Sequence, residues 1–409
     1  MAEFHQRPNC TRVDGTSPSM RVLQLLLILA TACADDGDGA EHDDEAPAKG
    51  PFEVQYHTEY VDIAPGFSQP VCRGSLDEID RHVEATAELL DIDVQERITL
   101  FWYNQNAAGS LADISEICEW CSGCGGCYNG VAHIRLAVLY HELVHAVVAP
   151  VWGWSDTLFA EGVAMGLDRN IDGYGSGIST IYNLDLLSST MPSDVAGSGM
   201  HGGAHFSRWL IDRFGPGKFS EMFDRLSMSA SKEEVFAAVE EVYGLPFEEL
   251  EAEYYATAPL AYPLPGLCEG HVNVPWNGDR WELSASSDCD EPHMFGPADD
   301  GGMYAVVTMD IPPEYVEEEL AVWVPSDVGA NVWPCLDEPM YDVDPTFFGA
   351  QVIHNSLSPP IFRAAGRYRI EMPVYDSGDI YLRLCVSNGK HPSHYPVDRT
   401  VDPENCLGD

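Results

Sequence analysis

The segment His141–His145 (HELVH) constrains this chain most, because it places two imidazoles four residues apart inside an apolar, helix-like pattern. That pattern covers residues 133–149 and predicts a helix closed by Pro150. Positions i and i+4 share one helix face, so both imidazoles can reach the same ion. Leu139 and Ala146 belong to an opposing apolar face, which indicates that the helix packs inside a domain.

Glu142, between the two histidines, points toward the remaining coordination position of such an ion, which is the arrangement that metal-assisted hydrolysis needs. A catalytic zinc also requires a third protein ligand. The best candidate is Glu161, on a second predicted helix over Phe159–Leu167. The alternative for the motif is a helix that carries two surface histidines. The alternative for Glu161 is a solvated helix carboxylate.

These residues resemble the gluzincin metallopeptidases, in which an HExxH helix is followed by a helix that carries a glutamate ligand. The resemblance implies one Zn²⁺ held by His141, His145 and Glu161, with Glu142 as the general base toward the zinc-bound water. It also implies a peptide or protein substrate. Two features depart from the pattern. Fifteen residues separate His145 from Glu161, which is a short spacing for the family. The family also carries an Asp one turn after the ligand glutamate, but here that position is Met165, and Asp168 is the nearest Asp that could reach the same face.

The same resemblance implies a tyrosine or histidine donor for the oxyanion, from the region after the ligand glutamate. His201 is the preferred candidate, and His205, Tyr174 and Tyr182 are also available. For each histidine, a packing or surface role remains the alternative.

An apolar stretch over Leu23–Ala32 follows Arg21 and is too short to cross a membrane, as expected for a signal peptide. It ends in Ala30-Thr31-Ala32-Cys33, which resembles the lipobox of bacterial lipoproteins and implies an acylated Cys33. The alternative is ordinary cleavage and a secreted product. We therefore predict a signal region at 1–33 and an acidic, disordered tether at 34–51.

Export permits disulfides. The chain has 12 cysteines, and setting aside Cys10 and Cys33 in the predicted signal region leaves ten, an even number that could pair completely. Each half of the mature chain contains five, so full pairing requires at least one bridge between the halves. Four of them form a C-x2-C-x2-C-x2-C cluster, which we predict to be oxidised, with a metal cluster as the alternative: Cys118, Cys121, Cys124 and Cys127.

The net charge of −45 excludes nucleic acid and anionic membrane surfaces as natural partners, because phosphate groups are repelled. Membrane contact is expected only through the lipidated Cys33.

Helical and strand patterns occupy different parts of the chain, which predicts an α+β fold. A zincin-like peptidase domain is expected at 52–262 and an all-β sandwich at 263–409. Capping boxes are predicted at Ser75/Glu78 and Ser231/Glu234. Further helices are expected at 204–214, 219–226, 231–243 and 247–256, and strands at 97–103, 303–311, 320–324, 367–372 and 380–386.

Together these features predict an exported, lipid-anchored zinc metallopeptidase that hydrolyses peptide bonds. Two alternatives remain open. One is a surface binding or adhesion protein with an inactive peptidase-like domain, and the other is a zinc hydrolase that acts on a non-peptide amide.

Overall fold

Helices and strands are largely segregated along the chain. The computed structural model describes residues 51–104, 106–107, 117–118, 125–135, 140–168, 198–277, 280–298, 300–315, 320–323, 330–341, 351–353, 365–374 and 379–386. Its helices are α1 (Arg73–Leu90), α2 (Tyr140–Trp152), α3 (Thr157–Leu167), α4 (Ser198–Phe214), α5 (Pro216–Asp224), α6 (Lys232–Tyr243) and α7 (Phe247–Thr257). The chain is a mixture of helices and strands, consistent with the predicted α+β class.

The first sheet lies among the helices. Its strands are β1 (Tyr56–His57), β2 (Val61–Pro65), β3 (Ile98–Trp102), β4 (Gly126–Tyr128) and β5 (Ala132–Ile134), in the order β1-β2-β3-β5-β4. Strands β2, β3 and β5 are parallel, whereas β1 and β4 are antiparallel to their neighbours. Within the described residues β4 is therefore an edge strand, and it forms a hairpin with β5 just before α2 begins.

Strands dominate after α7. They are β6 (Val272–Val274), β7 (Arg280–Ser286), β8 (Met294–Phe295), β9 (Met303–Ile311), β10 (Leu320–Trp323), β11 (Ala330–Pro334), β12 (Gln351–Ile353), β13 (Gly366–Val374) and β14 (Asp379–Val386), with a 3₁₀ turn at Pro313–Tyr315. One mixed sheet has the order β12-β11-β13-β9-β6, with β8 also paired to β9, and an antiparallel sheet has the order β10-β14-β7. The strands predicted in this region are all present.

The two largest apolar cores of the described residues follow this division. The larger core draws its buried side chains from positions between Val61 and Tyr262 and packs the helices on the first sheet. The second draws on positions between Ala261 and Met372, together with Cys72 from the start of α1. The two parts of the chain meet where Cys72 contributes to the second core.

The start of α1 is capped by the strand-rich part of the chain. The backbone N–H of Cys72 donates to the carbonyl of Gly296 at 3.1 Å, and that of Arg73 donates to Cys289 O at 2.9 Å. The predicted capping box at Ser75 is therefore wrong: α1 begins two residues earlier, and the Ser75 hydroxyl accepts from Gly296 N at 3.0 Å. Backbone amides at a helix start often donate to a nearby side chain, but here they donate to carbonyl groups that are distant in the sequence.

The predicted boundaries of α2 are also wrong. His133 lies in β5, and α2 begins only at Tyr140. Pro150 does not end the helix, because it removes one amide donor only within the last turn, and Gly153 still donates to Ala149 O at 3.0 Å. Gly153 then ends the helix in the left-handed region, at a φ of 75°.

Other predictions of termini are confirmed. Ser231 and Glu234 form the expected capping box at the start of α6, and Gly244 ends that helix with a φ of 73°. Residues 1–50, which include the predicted signal region and nearly all of the tether, lie outside the described residues. Across the described ranges, no helix combines the length and the apolar character that a membrane crossing needs.

Disulfides are present, as predicted. Six of the cysteines in the described ranges form the pairs Cys72–Cys289, Cys118–Cys127 and Cys268–Cys335. The first pair is the expected bridge between the two halves of the chain. The second joins the first and last cysteines of the predicted cluster, whose two middle members lie outside the described residues.

Candidate metal centre

Three side chains from two helices converge on one point. His141 and His145 lie on successive turns of α2, and Glu161 lies on α3. The Nε2 atom of His141 is 3.1 Å from Nε2 of His145 and 3.1 Å from Oε2 of Glu161. Nε2 of His145 is 3.6 Å from Oε1 of Glu161. In the described part of the chain, these are the residues whose spacing would allow them to hold a metal ion together.

These distances fit a tetrahedral metal. Zinc binds nitrogen and oxygen ligands at about 2.0–2.1 Å, so two ligand atoms at a tetrahedral ion are about 3.3 Å apart. Two imidazoles and one carboxylate are also a ligand set found in catalytic zinc sites, which leave a fourth position open. The donor set and its spacing therefore fit one zinc ion.

The spacing of the two ligand helices follows from a short connection. α2 ends at Trp152 and α3 begins at Thr157. The Asp156 carboxylate caps α3 by accepting a hydrogen bond from Leu158 N at 3.0 Å. The fifteen residues between His145 and Glu161 are thus sufficient for two helices that meet at these three side chains.

Small residues hold α3 against α4. A Cβ atom at Gly162 would lie 2.4 Å from Ser207 Oγ and 2.9 Å from Gly203 O, and one at Gly166 would lie 3.0 Å from Ala204 O. These contacts require glycine on the face of α3 that meets α4. The neighbouring Glu161 consequently projects from another face, toward α2.

Charges inside the cluster shift its pKa values. Burial lowers the pKa of His141, but the hydrogen bond and charge of Glu161 outweigh burial and raise it to about 9. Burial raises the pKa of Glu161, but the hydrogen bonds from both histidines outweigh it and hold that pKa below its ordinary value. A metal must displace the imidazole proton, so its affinity is expected to fall in acid.

Glu142 is buried beside the ligands. Its side chain is 6% exposed, and burial raises its pKa above the ordinary value for glutamate. A carboxyl group with a raised pKa is better matched to proton transfer near neutral pH than a fully exposed one. Asp168, which ends α3, is close enough for its charge to contribute to the raised pKa of both Glu142 and His141.

Two aromatic side chains flank the site. Trp154, between α2 and α3, has its ring 5.3 Å from that of His145 and 6.0 Å from that of Tyr128 on β4. Trp154 is 40% exposed despite its size. Tyr128 and Trp154 together form what we call the aromatic wall, which no sequence pattern indicated.

The two histidine candidates for the oxyanion donor have different outcomes. His201 lies in α4, but its side chain is outside the described part of the structure. His205 is buried with both ring nitrogens engaged: Nδ1 lies 2.7 Å from the Tyr254 hydroxyl and Nε2 lies 3.0 Å from Pro259 O. His205 therefore has a packing role. Tyr174 and Tyr182 lie outside the described residues.

A buried polar cluster reaches α2 from the strand-rich part of the chain. Arg369 on β13 donates two hydrogen bonds to Glu78 on α1, and Glu78 accepts another from the hydroxyl of Tyr140, the first residue of α2. No sequence pattern indicated this cluster, because Arg369 lies 291 residues from Glu78.

Comparison of the sequence with protein-family models and with curated proteins finds no match in either.

Proposed function

We propose that this protein is a zinc-dependent hydrolase of peptide bonds, of the gluzincin type. The observation that carries the proposal is the convergence of His141, His145 and Glu161, whose donor atoms are 3.1–3.6 Å apart. The edge strand β4 beside α2 and the position of Glu142 next to His141 support the same proposal. In finer terms, we propose a zincin-like domain at 52–262 and a β-sandwich at 263–409.

When bound by these three side chains, zinc supplies Lewis-acid polarisation of a carbonyl oxygen and acidifies water. Glu142 accepts a proton from the attacking water and then donates it to the leaving amine, so that one carboxyl group serves as base and then as acid. Burial raises the pKa of Glu142, which makes its carboxylate a stronger base for the first transfer. His201 is retained as the proposed donor to the oxyanion, because it lies on the helix packed against α3.

The proposed location is the cell envelope, with the chain exported and anchored through an acylated Cys33. The disulfides support an oxidising compartment. Mass spectrometry of the membrane fraction should find the modified cysteine, and Cys33→Ser should release the protein. A mature chain that begins at another residue would overturn the anchor while leaving the proposed activity untouched.

The proposed activity is tested by metal analysis of the purified protein, combined with digestion of a mixed peptide library. We expect about one zinc per chain and new peptide termini that disappear after treatment with a chelator. Bound zinc without any cleavage would favour the inactive binding protein, or a zinc hydrolase of non-peptide amides. A chain that binds no zinc would overturn the proposal.

A further inference from the structure

We infer that Arg369, in the strand-rich part of the chain, is a positioning residue for the metal site and acts through Glu78 and Tyr140. The inference deepens the proposed function and rests on it, because it concerns the affinity and geometry of the same metal site. It gives the C-terminal strands a role in positioning that site.

The first step is the ion pair between the two parts of the chain. Arg369 Nη1 donates to Glu78 Oε2 at 2.7 Å, and Nη2 donates to Glu78 Oε1 at 3.2 Å. The side chains are 4% and 2% exposed, respectively. A buried carboxylate is costly unless it is paired, so the two-point contact with Arg369 stabilises Glu78 and fixes it in one orientation.

The second step runs from Glu78 to the metal helix. The Tyr140 hydroxyl donates to Glu78 Oε1 at 2.7 Å, and its ring packs on the ring of His82 at 4.7 Å. The orientation that Arg369 gives the carboxylate therefore aims Oε1 at this hydroxyl. Tyr140 immediately precedes His141, so the bond fixes the first turn of the helix at its metal-ligating end.

The Arg369 guanidinium also makes polar contacts within its own part of the chain. Its Nε donates to Glu371 Oε1 at 2.8 Å, and its Nη1 donates to Leu267 O at 3.0 Å and lies 3.1 Å from His271 Nε2. These partners belong to the strand-rich part of the chain or to the segment that leads into it. The guanidinium is therefore a rigid point from which Glu78 is oriented.

A purely structural role would stabilise the contact between the two parts of the chain without changing the metal site. Tyr140→Phe separates these possibilities, because it removes the bond to α2 and leaves the ion pair of Arg369 with Glu78 in place. Arg369→Lys keeps the positive charge but loses the two-point contact. Arg208→Lys is the matched control, since Arg208 is 4% exposed and pairs with Asp212 on α4, outside this cluster.

The experiment measures zinc affinity by competition with a chelator and the absorption spectrum of the Co²⁺-substituted full-length protein. Circular dichroism confirms folding. We expect Tyr140→Phe and Arg369→Lys each to weaken zinc binding by about 10-fold and to alter the Co²⁺ spectrum. This is the low end of the loss seen for direct partners of metal ligands, because these two residues act one contact further away. The double variant should be little weaker than either single variant, because both act on one path. Arg208→Lys should change neither measurement.

Wild-type affinity and spectrum in Tyr140→Phe would overturn the inference, as would a double variant whose loss is the product of the single losses. In both cases the proposed function stands, because wild-type protein still binds zinc. If wild-type protein binds no metal, the proposed function fails first and the inference fails with it.

Discussion

The backbone of Gly126 in β4 lies directly against the side chain of Glu142 in α2. A Cβ atom at Gly126 would be 2.5 Å from Cγ and 2.9 Å from Oε1 of Glu142, and 2.6 Å from the carbonyl of His133. The carbonyl belongs to the paired strand and cannot yield easily. The proposed general base is thus positioned by an edge strand that only glycine allows to approach so closely.

Gly126→Ala should therefore displace Glu142 without removing any metal ligand. We expect peptidase activity to fall by about 10²-fold, the loss typical of a misplacement of about 1 Å, while zinc content stays unchanged. Gly130→Ala is the control, because Gly130 has a φ of 99° in the same hairpin but has no atom within 4 Å of an added Cβ. Equal losses in both variants would show that hairpin strain, not contact with Glu142, causes the effect.

Glu142→Gln separates proton transfer from metal binding. The amide keeps the size of the side chain but cannot accept the proton of water at neutral pH. We expect zinc to remain bound, and hydrolysis to fall by about 10²- to 10⁴-fold, measured as kcat/KM on a library-derived peptide. Full activity in this variant would remove Glu142 from the proposed mechanism.

Glu161→Ala and His145→Ala should lower zinc content, whereas Glu142→Gln should not. Each removes a donor atom from the cluster, so zinc content should fall and activity should fall in parallel, as measured by metal analysis of dialysed protein. Glu248→Ala, at an exposed carboxylate on α7, controls for the loss of one negative charge. Undiminished zinc affinity in Glu161→Ala would show that the third ligand lies elsewhere.

The grouping of His141, His145 and Glu161 could be predicted from the sequence because its information is local. The spacing of His141 and His145 needs only one helix, and Glu161 needs only the next helix along the chain. The capping box at Ser231 was predictable for the same reason. Where a single element determines the arrangement, its sequence pattern is sufficient.

The supporting contacts could not be predicted, because they join distant segments. Strict alternation over 367–372 predicts Arg369 on the polar face of a strand, yet Arg369 is 3% exposed because Glu78 meets it there. Ser75 has the sequence of a cap, yet the amides at the start of α1 bond to Cys289 and Gly296. In both cases a contact across the chain overrides a correct local pattern.

His205 should make the protein sensitive to acid. Burial lowers its pKa to about 4, whereas an unfolded histidine has a pKa of about 6.5. The unfolded chain therefore binds the proton first, so stability is present above about pH 6.5 and is lost as the pH falls toward 4. From pH 7.5 to 5 this histidine should remove about 2 kcal/mol from the free energy of unfolding.

His205→Gln should reduce this pH dependence, as measured by urea unfolding at both pH values. Tyr254→Phe is its control: it removes the hydroxyl partner of His205 but keeps the imidazole, so it should lower stability at both pH values and keep their difference. An unchanged pH dependence in His205→Gln would show that this residue is not a source of the acid sensitivity.

The aromatic wall should select substrates that carry a large apolar side chain beside the scissile bond. Trp154 is 40% exposed beside the ring of His145, so a substrate side chain can cover it. Burying such a side chain contributes about 1.5–3 kcal/mol. Trp154→Ala should therefore lower kcat/KM for apolar peptides by about 10- to 100-fold and leave small-residue peptides and zinc content unchanged. Val151→Ala, at a 56% exposed position near the end of α2, is the control. A uniform loss on all peptides, or loss of zinc, would instead show that Trp154 supports His145.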